Sequence, residues 1–124
     1  MNRFRLLIAL LPLLAFSSSA FADWKTAQFW RMSMLKSVEY FNTHAWDEKS
    51  GSYASEIGRN GKRLSEKRHL IATGRMIYGL SHAAQGNPEY LQRARRTAEF
   101  LTTKMISHDA LGPYFLSTVD AKGK

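Results

Sequence analysis

The chain contains no cysteine, which excludes a disulfide scaffold, a Cys-ligated zinc site and thiol chemistry. It is short of acid, with 10 Asp and Glu against 18 Lys and Arg, for a net charge of +8. It also lacks an apolar run long enough for a membrane span. A span needs roughly 20 apolar residues, and residues 6–16 supply 11, broken by Pro12. The basic excess does not indicate nucleic acid. The cations are dense only in residues 62–68 and 93–96, and charge alone speaks to solubility. What is present is apolar: 44% hydrophobic and 12% aromatic residues exclude a disordered chain. A length of 124 residues allows one domain at most.

The N-terminus has the layout of an export signal. Arg3 and Arg5 precede the apolar run. Ser17-Ser18-Ser19 follows it, and Ala20-Phe21-Ala22 is an A-x-A cleavage site. The expectation is a signal peptide over residues 1–22, cut after Ala22. A mature chain of residues 23–124 would then work in the periplasm or outside the cell, with no stable membrane anchor.

Residues 24–42 read as a helix, because Ala27, Trp30, Met34, Val38 and Phe41 recur at spacings of three and four. His44 near its end suits the helix macrodipole. Residues 52–64 read as a small hairpin turning at Gly58-Arg59-Asn60-Gly61, since Asn-Gly is a strong hairpin signal. Ser65 reads as the cap of a second helix, to about residue 85, with Glu66 in its first turn. That helix is apolar nearly all round, which predicts burial on several sides. Close backbone packing is expected at Gly74 and Gly79, each of which costs helix propensity.

Gly86 ends the second helix. Asn87 then caps a third, with Pro88 at its first position and Glu89 next. Leu91, Ala94, Ala98, Leu101 and Met105 predict its dry stripe, and the arginines at 93, 95 and 96 its wet face.

The end of the chain repeats the middle. Asp47, Gly51 and Tyr53 have counterparts in Asp109, Gly112 and Tyr114, and Gly61-Lys62 has one in Gly123-Lys124. The period is about sixty residues and holds two helices and a hairpin. Stacking such units places one helix of each pair in an inner ring and the other outside. Units of this kind need several copies to bury a core. The expectation is therefore a fragment of a longer protein.

The best motif is His69-Leu70-Ile71-Ala72-Thr73-Gly74-Arg75-Met76-Ile77-Tyr78. It resembles the H-L-W-x-x-A-R-M/Q-[IL]-[YWH] helix of the N-acylglucosamine 2-epimerase family of sugar epimerases and isomerases. Within that family it is closest to the bacterial aldose–ketose isomerases for mannose-type and sulfonated sugars. Asp47…Gly51-Ser52-Tyr53…Asn60-Gly61 is similar to the family's D-x-x-x-G-G-[FY]…D-G. Gly112-Pro113-Tyr114…Asp120-Ala121-Lys122-Gly123 is similar to its G-G-W-Y…D-x-x-G. Ile71 stands where the family has an aromatic, and Tyr114 where it has Trp.

The resemblance implies an all-α fold, the N-terminal portion of an (α/α)6 barrel with short β-hairpins between helices. It implies a small sugar substrate and proton transfer between C1 and C2 by histidines, with no metal and no cofactor. Arg75 matches the family's arginine at the reacting carbons, and His69, Tyr53 and Tyr114 fall at substrate-binding positions. A guanidinium there would stabilise charge developing on the sugar oxygen and resist deprotonation by the base. Each tyrosine could also plug the core, and His82 and His108 read as structural and solvated. The helices that would carry the catalytic histidine pair are not in this chain, so the fragment by itself is expected to be inactive. A carbohydrate lyase or glycoside hydrolase on an (α/α) toroid, or a non-catalytic truncated product, is the alternative.

Overall fold

The computed structural model describes residues 25–124; the signal-peptide reading lies outside them. The chain divides into two compact units, Met1–Arg31 and Met32–Lys124. In the described part of the first, the Thr26 hydroxyl accepts the Phe29 amide at 3.2 Å, and Phe29 meets Trp30 edge-on at 5.2 Å. Helix α1 (Ala27–His44) starts here.

In the second unit α1 continues to His44, two residues past the expected end, and its last bond runs from the Ala45 amide to Phe41 at 2.8 Å. Val38 is its one buried residue. The chain then reverses through β1 (Trp46–Asp47) and β2 (Ser52–Tyr53), paired Trp46 to Tyr53 and Asp47 to Ser52. Asp47 builds this turn. Its carbonyl accepts the Gly51 amide at 2.9 Å, and its carboxylate accepts the Lys49 amide at 3.1 Å and the Ser50 hydroxyl at 2.7 Å. Gly51 takes φ +67°, the left-handed region that favours glycine.

The Asn60-Gly61 turn is present, reduced to one bridge between Ile57 and Arg63. Tyr53 pairs backward with Trp46 instead of forward, so no long strand is left for this turn.

Helix α2 (Leu70–Ala83) begins five residues after Ser65, which corrects the expected cap. Ser65 accepts only the Lys67 amide, at 3.0 Å. The Lys67 carbonyl accepts from the Ser55 amide at 3.0 Å, and β3 (Arg68–His69) pairs with β6 (Thr118–Val119). Residues committed to neighbouring strands stay extended.

Helix α3 (Pro88–Lys104) is capped as expected, with Asn87 Oδ1 accepting the Glu89 amide at 3.0 Å and Pro88 leading. Its buried residues are Ala94, Thr97 and Phe100, while Leu91 is exposed. The dry stripe is therefore rotated from the expected one. Arg93 and Arg96 are not simply a wet face: their guanidinium carbons lie 5.0 and 5.1 Å from the Trp46 ring centroid. Arg93 also donates to the Asn42 carbonyl at 3.1 Å and pairs with Glu89 at 2.5 Å, and Arg96 pairs with Glu48. These contacts fasten α3 to the first hairpin.

The second hairpin, β4 (Ile106–Asp109) and β5 (Gly112–Phe115), follows α3 as the first follows α1. The repeat holds at the level of single bonds. The Ala54 amide reaches Ala45 at 2.9 Å, and the Leu116 amide reaches Met105 at 2.7 Å. The Gly58 amide reaches Lys62 at 2.8 Å, and the Asp120 amide reaches Lys124 at 2.7 Å.

One core cluster joins Val38, Ala45, Tyr53, Leu80, Ala83 and Ala94; a second joins Phe100, Met105 and Val119. Helix α2 buries Thr73, Leu80 and Ala83 but not its whole circumference. Ile71 is 69% and Tyr78 67% exposed, and Arg75 and His82 share that bare face. This corrects the expected all-round burial: among the described residues, no element covers that side. A Cβ added at Gly79 would lie 3.6 Å from Val38, an ordinary contact, and one at Gly74 would meet nothing within 4 Å, so neither glycine shows the close backbone packing expected of it. No helix among the described residues is long and apolar enough to cross a membrane. Among the described residues there are three helices and short strand pairs, and no closed barrel.

Candidate functional site

A cleft of about 400 Å³ opens where the first hairpin leads toward α2. Its walls come from three places in the chain. Phe41 reaches it from α1, Tyr53 and Ser55 from the end of the first hairpin, and His69, Ile71, Arg75 and Met76 from β3 and α2. Ile71 and Arg75 are one helical turn apart, which puts an apolar and a cationic side chain on the same wall.

Arg75 is exposed at this wall. Its guanidinium has no hydrogen bond or ion pair among the described residues. At an exposed position an arginine without a protein partner costs little, and none of its five donors is taken among the described residues.

His69 lines the same cleft. Its Nε2 lies 3.0 Å from Glu56 Oε1 and its Nδ1 2.9 Å from Thr118 Oγ1. Tyr53 borders the cleft but is 3% exposed. Its hydroxyl donates to Asn42 Oδ1 and its ring packs on Trp46 at 4.9 Å. Burial pushes its hydroxyl pKa above the ordinary value, against the opposing charge of Arg93. Tyr53 thus serves as a core plug at the back of the cleft. Tyr114 pairs with Ser107 on the second hairpin, is 45% exposed, and does not line the cleft. Three of the four expected site residues come together, and the fourth does not.

Arg68, one residue before His69, was not legible as a structural key. It is fully buried. Its Nε donates to Ser52 Oγ at 3.1 Å, one Nη to Asp47 Oδ2 at 2.9 Å, and the other to the Glu66 carbonyl at 2.5 Å. It fixes the first hairpin to the strand that carries His69. Burial raises the Asp47 pKa, but hydrogen bonds from Ser50 and the Lys49 amide and the Arg68 charge outweigh it, so the carboxyl stays below its ordinary value. Glu56 and Thr118 were also missed. They lie far from His69 in sequence, and only strand pairing brings them to it.

Among the described residues, no group of three or more His, Asp or Glu is placed to hold a metal ion.

No family model matches the chain. Over 97 residues it is 31% identical to a D-mannose isomerase of Marinomonas mediterranea, covering 77% of this chain and 24% of that protein. It also aligns with a crystal structure of a D-mannose isomerase at a TM-score of 0.68 and 16% identity, over 82% of this chain and 26% of that one. The chain thus spans about a quarter of the length of the curated relative it matches, and it shares the fold of that portion of the solved structure.

Proposed function

We propose that this chain forms the N-terminal part of a sugar 2-epimerase or aldose–ketose isomerase of the N-acylglucosamine 2-epimerase family, built on an (α/α)6 barrel. The cleft beside α2 is its sugar-binding wall. Arg75 is the charged group that meets the sugar oxygen at C1 or C2. His69 and Ile71 shape the rest of that wall, and Tyr53 supports it from behind. The observation that carries this reading is a guanidinium in an open cleft with no partner among the described residues, on the helix whose motif resembles the family's.

The chemistry follows from the residue types. Moving a proton between C1 and C2 of a sugar places negative charge on oxygen beside the reacting carbons. A guanidinium at that oxygen stabilises the charge more in the transition state than in the ground state. In this reading histidines act as the general base and acid. Export through residues 1–22 places this activity in the periplasm or outside the cell.

A D-mannose titration of the full chain, followed by NMR, tests the binding half of this reading. Shifts confined to Ile71, Arg75, Met76 and their neighbours, and lost in Arg75→Ala, are expected. No shifts, or shifts indifferent to Arg75→Ala, would remove the assignment.

A further inference from the structure

His69 stands where the two repeats meet. The matched bonds of Ala54 to Ala45 and Leu116 to Met105 align Ala54 with Leu116, and therefore Glu56 with Thr118. These two residues, from the same position of successive repeats, converge on one imidazole. Glu56 Oε1 lies 3.0 Å from Nε2, and Thr118 Oγ1 lies 2.9 Å from Nδ1.

The backbone holds this arrangement from both sides. The His69 amide donates to Ser55 Oγ at 2.8 Å, and the Ser55 amide donates to the Lys67 carbonyl at 3.0 Å. On the other side His69 pairs with Thr118 across β3 and β6, and the Leu70 amide donates to the Ser117 carbonyl at 3.0 Å.

An ionised carboxylate only accepts, so Nε2 must carry hydrogen. A neutral imidazole has one N–H, so Nδ1 must accept from the Thr118 hydroxyl. We propose that Glu56 and Thr118 are positioning residues that fix His69 as its Nε2–H tautomer, so that the ring borders the cleft with both nitrogens already committed. Neither Glu56 nor Thr118 lines the cleft itself. His69 therefore enters the site as a rigid wall rather than a proton carrier. A ligand that exchanged a proton with it would first have to displace one of its two partners. For the uncharged ring the tautomer follows from the chemistry of its two partners; its relevance to a sugar rests on the proposed function.

The test uses the full chain with 15N-labelled histidine, observed at about pH 8, where a free imidazole is neutral. His69→Gln identifies the resonances of His69. In the parent, one nitrogen is expected to be pyrrole-like and the other pyridine-like. Glu56→Ala should collapse the pair toward the averaged shifts of a free imidazole. Glu56→Gln, which keeps the shape but can donate as well as accept, should weaken the bias without loss of fold by far-UV dichroism. Thr118→Val should keep Hε2 and move only Nδ1. Averaged nitrogens in the parent, or an unchanged tautomer in Glu56→Ala, would overturn the proposal. D-mannose should leave the tautomer in place. Its loss on binding would overturn the wall role, while an intact tautomer with no response to mannose would count against the sugar reading alone.

Discussion

Gly61 lies against His44, the last residue of α1. A Cβ built on Gly61 would sit 2.5 Å from the imidazole Nδ1, and the residue takes φ +79°. Gly123 repeats the relationship, at φ +85° and with a Cβ that would meet Lys104 at 3.0 Å. His44 and Lys104 end the helices that precede the two hairpins, so each turn folds back over its own helix. Gly61→Ala should destabilise by about 2 kcal/mol or more, from left-handed strain plus overpacking. Gly123→Ala should act in the same direction. Urea unfolding monitored by far-UV dichroism checks both.

Gly74 makes the opposite prediction. It lies inside α2 with ordinary backbone angles, and a Cβ there would meet nothing within 4 Å. Gly74→Ala should stabilise by about 1 kcal/mol through helix propensity. A loss of stability would mean that another surface packs on this face of α2 in solution.

The Trp46 ring lies within about 5 Å of the Arg93 and Arg96 guanidinium carbons and packs at a tilt against Tyr53. Trp46→Leu and Arg93→Ala should be non-additive, with a coupling of about 0.5–1 kcal/mol in a double-mutant cycle. Full additivity would show that the arginines only cover the ring.

Asp47 gives stability a dependence on acid. Its folded pKa lies below the ordinary value of 3.8. A carboxyl lowered in the folded state contributes stability that is fully present above its unfolded pKa and is lost as pH falls through the folded one. Stability should therefore drop below about pH 4, and Asp47→Asn should flatten that limb. Arg68→Ala should destabilise through the loss of a fully buried side chain and its bonds to Ser52, Asp47 and the Glu66 carbonyl, and should also weaken the acid dependence, since Asp47 loses its cation. Thermal melts across pH 2–7 (order-of-magnitude bounds for carboxyl titration) separate the two variants.

Local chemistry was readable in the sequence, and long-range pairing was not. The Asn87-Pro88-Glu89 start of α3 is written in three adjacent residues, and the structure has it there. The sixty-residue repeat was visible in a few glycines and tyrosines, because positive-φ turns and helix-end contacts demand those residues at fixed places. Ser65 misled, because a cap signal is local whereas strand pairing decides that residues 67–69 stay extended. Arg68 sat in a dense basic stretch that looked solvated, and only the acids at 47 and 66 explain its burial. Of the site, Arg75 and His69 came from a motif on one helix. Glu56 and Thr118 needed the fold, since neither bears any local mark of its partner.

The most direct test of the central claim, that Arg75 and its cleft form the sugar-facing wall of an isomerase, is a graft. Residues 25–124 replace the matching segment of the Marinomonas D-mannose isomerase, and mannose isomerisation is measured with Arg75 intact, as Arg75→Lys and as Arg75→Ala. The graft should be active. Arg75→Lys should lower kcat/KM by roughly 100-fold, the scale of losing one charge-stabilising donor, and Arg75→Ala by at least as much. A folded graft whose kcat and KM stay within about twofold on Arg75→Ala would show Arg75 to be structural and contradict the assignment.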